Sequence, residues 1–222
     1  MNNSVSNTAR LLGAGLRALL VLTLVTGVLY PLVVTGIAQG LFPGKANGSE
    51  IKADGKVVGS SLIGQAYNLP LKEGEETPAP DLKWFQGRPQ NGLGTNSVNT
   101  QYQLLLSGAT NRSGDNAELI QWVKDAKAAV VEDNSTGTYK VKPSQVPADA
   151  VTSSGSGLDP DISPQYADLQ VHRVAEKNGL PAAEVRKLVD EHTEGRTLGF
   201  MGEPRVNVLE LNIALEELAA KS

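Results

Sequence analysis

The 222-residue sequence contains no cysteine. That excludes a disulfide framework and any thiolate metal site, and it leaves the cellular compartment open. Histidine occurs only as His172 and His192, too few for a histidine-rich metal centre. Aromatic residues are 5% of the chain, so a core has to be built from Leu, Val, Ile and Ala. The first 40 residues lack any acidic side chain and carry Arg10 and Arg17 alone as charges. Beyond them, 24 acidic residues face 18 basic ones, a net of −6. An acidic soluble part matches nucleic acid poorly, because that affinity comes from neutralised phosphates, so no nucleic-acid partner is expected.

What the chain does have is one long uncharged run, "ALLVLTLVTGVLYPLVVTGIA", over residues 18–38. As a helix it spans about 30 Å, the hydrocarbon thickness of a bilayer. Its length exceeds the core of an ordinary cleaved leader, which favours a retained anchor. Pro31 would break a soluble helix and is tolerated in a transmembrane one, where it predicts a kink and a freed carbonyl at Gly27. Gly27 and Gly36 permit close approach of partner helices. The short acid-free N-terminus suits the cytoplasmic side, although Lys45, Lys52 and Lys56 after the run blunt the charge bias.

Asp54-Gly55 is a type I′ turn signal and predicts strands near 50–53 and 56–59. Residues 70–80 read as an exposed acidic loop. A helix is expected from Asp115, with Asp115 as cap, Glu118 completing a capping box, and Leu119, Ile120, Val123 and Val130 near one face. The stretch "TGTYKVKPSQVPADAV" then reads as strand or loop. Ser163-Pro164 is an N-cap followed by N1, with Asp161 placed to favour the positive helix end. That helix buries Ala167, Val171 and Val174 and stops at Gly179. Pro181 opens the next, which buries Val185, Leu188, Val189 and His192. Asn207 and Glu210 have cap and N3 spacing for a last helix striped by Val208, Leu211, Leu215 and Leu218.

The chemical motifs are weak. "VAEKNGLPAAEV" has helix-turn-helix spacing, but the second helix mixes Glu184, Asp190 and Glu191 with Arg186 and Lys187 and would repel phosphates as well as attract them. "DNSTGTYK" lacks the lysine of an aspartyl-phosphate loop, and "SSGSGLDPD" has no Gly-Lys-Ser/Thr, so it is no Walker loop. Asp159 and Asp161 are turn and cap residue types rather than a convergent cation site. No Gly-x-Ser-x-Gly elbow occurs. No catalytic, cofactor-binding or metal-binding residues are expected.

Several stretches, taken in order, resemble the C subunit of the bacterial Kdp potassium-transporting ATPase, the KdpC family. They are an apolar helix with Gly27 and Pro31 followed by "LFP"; "GSSLIGQ" with Gly64 and Gln65; and "WFQGRP" with Gly87, Arg88 and Pro89. They continue with "VTSSGSGLDPDISP", holding Ser153, Gly157, Asp159 and Pro160; Gln170 and Arg173; and "GEPRVNVLELNIAL", holding Gly202, Pro204, Asn207, Glu210 and Asn212. These residues are the candidate partner-contact or fold-determining positions. Residues 67–83 look like an insertion, and "GLGTNSVNTQYQ" follows the family's Gly-Ser-Asn-rich segment only loosely.

The expected architecture is α+β: a cytoplasmic tail (1–17), a single transmembrane helix (18–38), and one extracytoplasmic mixed domain (39–222) with a C-terminal helical hairpin and a final helix. The resemblance implies a non-catalytic accessory subunit in the cell membrane. Its partners would be a channel-like potassium-translocating subunit, a P-type ATPase subunit and the lipid bilayer. It would stabilise their assembly and raise the pump subunit's affinity for ATP as a "catalytic chaperone". ATP, magnesium and potassium would be used by the complex, with no cofactor held by this chain. The competing readings are a membrane-anchored extracytoplasmic enzyme and a membrane-bound helix-turn-helix sensor.

Overall fold

A computed structural model describes residues 3–71, 73–74, 78–89, 94–95, 105–108 and 111–221. Most of "GLGTNSVNTQYQ" and part of the acidic 70–80 loop therefore lie outside the described residues. The chain divides into two compact units, Met1–Glu50 and Ile51–Ser222.

The first unit is one long helix with an irregular centre. Helix α1 (Asn3–Leu24) runs into a π-helical turn (Val25–Leu29) and on into α2 (Tyr30–Leu41), followed by the short α3 (Pro43–Ala46). Helix thus extends beyond both ends of the uncharged run, and the stretch Val5–Leu41 is long and apolar enough to cross a membrane. Leu19, Leu22, Val33 and Ile37 are each more than half exposed, as expected of side chains that face lipid. The irregularity sits one turn before Pro31. A proline cannot donate to the helix ladder, and widening the preceding turn is one of the few ways to keep the helix continuous.

The second unit begins with the hairpin β1 (Glu50–Ala53) and β2 (Lys56–Ser60). Asp54 (φ 49°) and Gly55 (φ 74°) are both left-handed, as a type I′ turn requires. A neck at Asn68↔Pro80 closes the loop between these residues, with Leu69 N–H on Ala79 O and Asp81 N–H on Tyr67 O. The pair β3 (Gly94–Thr95) and β4 (Leu105–Leu106) is antiparallel. Helix α4 (Ala117–Asn134) follows. Its cap is Asn116, whose side chain accepts from Leu119 N–H, and not Asp115. Asp115 instead accepts from Ser113 Oγ, and Glu118 pairs with Arg112 rather than closing a capping box. Ile120 is exposed, because the buried stripe runs Val123, Ala126, Val130.

The stretch after α4 is loop with two 3₁₀ turns, Pro143–Gln145 and Ala148–Ala150. Strand β5 (Asp161–Ile162) leads into α5 (Pro164–Asn178), then α6 (Ala182–Glu191), β6 (Thr193–Glu194), β7 (Arg205–Asn207) and α7 (Val208–Ala219). Ser163 Oγ accepts from Tyr166 N–H and Pro164 takes N1. Gly179 (φ 68°) ends α5 in the left-handed conformation, with Leu180 N–H on Ala175 O. The aspartate that serves Ser163 is Asp149, which accepts from both its N–H and its hydroxyl. Asp161 lies in β5 and pairs with Arg205.

The sheet order is β5-β7-β6, all antiparallel. Its central Val206 is fully buried, and so are Val171, Val174, Val185 and Leu211. Each such side chain contributes about 1.5–3 kcal/mol relative to exposure. The core therefore lies among α5, α6, α7 and the small sheet, with Phe85 brought in from far upstream.

Candidate functional site

The densest polar structure in the second unit is a clamp on the backbone of residues 82–86. Asn212 Oδ1 accepts from Phe85 N–H at 2.9 Å, and its Nδ2 donates to Phe85 O at 3.0 Å. Gln170 does the same one residue on, with Oε1 accepting from Gln86 N–H at 2.7 Å and Nε2 donating to Gln86 O at 3.0 Å. Two carboxamides thus imitate the neighbouring strand that an extended backbone would otherwise need.

Arg173 completes the clamp. It donates from Nη1 to Trp84 O (3.0 Å) and Leu82 O, from Nε to Asn134 Oδ1 (2.9 Å), and from Nη2 to Gln170 Oε1 (2.6 Å). Its guanidinium is 1% exposed, and all of these acceptors are neutral. Burial pulls its pKa down to about 10, with Tyr166, Asp133 and Asp81 opposing. Arg173 therefore stays charged at any physiological pH, and its charge is spread over carbonyls fixed by the fold.

A second cluster joins the remaining loops. Arg88 pairs with Asp159 (3.0 Å) and donates to Thr152 O and Ser153 O. Gly64 N–H donates to Leu158 O at 2.8 Å, and a Cβ on Gly64 would stand 2.4 Å from Asp159 O, so only glycine fits there. Gly157 (φ 68°) turns the chain into that contact. Pro160 O accepts from Val208 N–H. Gln65 Nε2 donates to Val58 O, back to the first hairpin. Asn207 caps α7 by accepting from Glu210 N–H and also donates to Ser61 O and Asp161 Oδ1.

Beside this cluster is an open cleft of about 310 Å³, lined by Gln65, Gly87, Arg88, Pro89, Asp133 and Tyr166 among others. Burial raises the Asp133 carboxyl above its ordinary range against the opposing charge of Arg173, and burial lifts Tyr166 to about 12. The chemistry available is weak hydrogen bonding to a polar group. His172 stacks on Tyr139 (centroids 4.0 Å apart), and His192 Nδ1 lies 2.9 Å from Leu188 O, so the two histidines have separate engagements. Among the described residues, no three His, Asp or Glu converge as metal ligands.

The candidate residues therefore fall into five groups. Gln170, Arg173 and Asn212 form the clamp; Gly64, Arg88, Ser153, Gly157, Asp159 and Pro160 form the loop cluster with Gln65, Gly87 and Pro89 at the cleft; Asn207 and Glu210 start α7; and Gly27 and Pro31 belong to the first unit. Gly202 (φ 78°) and Pro204 lie apart, in the loop between β6 and β7 that exposes Leu198, Phe200 and Met201. Sequence reasoning overlooked Phe85, Gln86 and Asn134. The available signal for Asn134 was a polar residue ending an apolar helical stripe.

The helix-turn-helix spacing has a packing explanation. Ala175 and Val185 are buried where α5 meets α6, and the basic residues of α6 pair with acids, Arg186 with Asp168 and Lys187 with Glu191.

Residues 12–217 match the family model described as K+-transporting ATPase, c chain. The chain is similar to the potassium-transporting ATPase KdpC subunit of Streptomyces avermitilis, 84% identical over the whole of both chains. It is 80% identical to that of Streptomyces coelicolor, over 99% of this chain and 98% of the relative. With the KdpC subunit of Gemmatimonas aurantiaca it shares 46% identity, over 93% of this chain and 94% of the relative.

Proposed function

The chain belongs to the KdpC family, and from that premise we propose that it is the accessory subunit of an ATP-driven potassium uptake complex, stabilising the assembly of a channel-like subunit and a P-type ATPase subunit. The match over residues 12–217, nearly the whole chain, carries this reading. The clamp supports it, since among the described residues every buried side-chain nitrogen and oxygen has a hydrogen-bond partner. Such saturation suits a scaffold that holds loops in place. ATP, magnesium and potassium belong to the complex in this reading.

In this reading residues 1–17 lie inside the cell, 18–38 cross the membrane and 39–222 lie outside, with α5 and α6 as a helical hairpin before the final helix. Arg10 and Arg17 without neighbouring acids support the inside assignment of the N-terminus. A domain outside the cell cannot touch cytoplasmic ATP. Any effect on the pump's ATP affinity then passes through the membrane helix or the partner subunits. In the second unit, partner contact is assigned to the loop holding Gly202 and Pro204, where Leu198 (78%), Phe200 (70%) and Met201 (45%) are exposed.

The test is purification of the complex in detergent with and without this chain, reading potassium-stimulated ATPase activity. Co-purification and loss of activity on its removal are expected. A chain that never co-purifies, and whose deletion leaves transport intact, overturns the proposal.

A further inference from the structure

The π-helical turn and Pro31 together leave one backbone acceptor, the carbonyl of Thr26, without an in-register donor near the centre of the apolar run. Tyr30 N–H donates to Val25 O, five residues back. Residue 31 is proline and has no N–H. In α register the carbonyl of Thr26 would be served by residue 30 and that of Gly27 by residue 31. In π register residue 31 would serve Thr26. For Thr26 O the first donor is committed elsewhere and the second does not exist, so it loses both in-register partners; Gly27 O loses its α-register donor to Pro31 and keeps a π-register one, the N–H of Leu32. The Thr26 hydroxyl does not help, because it donates to Leu22 O at 2.7 Å.

In water this carbonyl would be solvated. Within hydrocarbon each unserved carbonyl costs several kcal/mol, and no water is at hand to reduce that. The helix is also open at this level. A Cβ on Gly27 would meet only Thr23 Cγ2, at 4.0 Å. A second helix can therefore approach the bare backbone closely where the acceptor lies.

We propose that the Thr26 carbonyl, beside Gly27, forms a docking point inside the bilayer for a transmembrane helix of a partner subunit, one that carries an O–H or N–H side chain at this depth. The inference rests on the reading of the chain as a membrane-anchored accessory subunit. It adds the place and the chemistry of contact: the partner inserts a hydrogen-bond donor, and Gly27 admits it.

The test uses the full chain co-expressed with the other subunits of the complex. A photoreactive residue at Thr23, on the Gly27 face, is compared with one at Val25, about 200° round the helix. Cross-linking to a partner subunit from Thr23, with lipid labelled from Val25, is expected. Pro31→Ala restores an N–H that serves the orphaned carbonyl from within and also strengthens the helix, so misfolding cannot explain weaker capture. Retention of the partner should fall by about threefold to twentyfold, the range of one interhelical hydrogen bond in a membrane. Gly27→Leu should reduce it further by closing the approach. Undiminished retention in Pro31→Ala, or Thr23 cross-links only to lipid or to a second copy of this chain, overturns the docking point while the accessory role stands. Failure of the wild-type chain to co-purify overturns both.

Discussion

Asn212→Ala removes both hydrogen bonds from Phe85, a residue with no solvent exposure. The N–H and C=O of Phe85 are then buried without partners, at about 1–3 kcal/mol each. Loss of the carboxamide also leaves a void worth about 1 kcal/mol. The expected destabilisation is about 3–7 kcal/mol, a large part of the stability of an ordinary domain. Trp84 adjoins the clamp, and its carbonyl accepts from Arg173, so its fluorescence reports the site. Urea unfolding of the full chain in detergent, in a Trp122→Phe background, should show the midpoint falling by about 1–3 M. Asn212→Leu separates the causes, since it fills the space and still leaves Phe85 unserved. It should be nearly as unstable as the alanine variant. A midpoint shift below about 0.3 M in Asn212→Ala, or recovery in Asn212→Leu, would refute the assignment of the clamp to hydrogen bonding.

Gly64→Ala forces its new methyl against Asp159 O and should cost about 1–3 kcal/mol in thermal unfolding. The raised Asp133 carboxyl means that the folded chain binds a proton more tightly than the unfolded one. Stability linked to this group is therefore fully present below the unfolded pKa and is lost as pH rises through the folded value. Asp133→Asn removes that dependence, so its stability relative to the parent should climb as pH rises above about 4, the ordinary carboxylate value, and a difference that stays constant with pH would disprove it. Phe200→Ser should leave the unfolding midpoint within about 0.5 kcal/mol, because the ring is 70% exposed, while weakening retention of the partner subunits; intact retention removes the β6–β7 loop from the interface.

Features written in adjacent residues were legible. Asp54-Gly55, Ser163-Pro164, Gly179 and Asn207 with Glu210 each act within one turn, and each occupies the expected position. Errors appeared where two residues of similar chemistry compete. Asn116 caps α4 one place after Asp115. Asp149, 14 residues before Ser163, accepts from its N–H and hydroxyl, a contact that no local spacing announces. The clamp was illegible in kind. Gln170, Arg173 and Asn212 find acceptors 84–127 residues upstream, and no spacing rule links an amide side chain to a distant backbone. "WFQGRP" shows no periodicity because side chains, rather than a neighbouring strand, satisfy its backbone.

That clamp also sets a timetable. The ribosome makes Phe85 long before Asn212, so the middle of the chain must wait, unsheltered, for nearly the last helix to arrive. A chain stopped short of α7 lacks both Leu211 and the amide that closes around Phe85. Closure of the core around Phe85 thereby waits for the end of synthesis, when α7 arrives with Leu211 and Asn212.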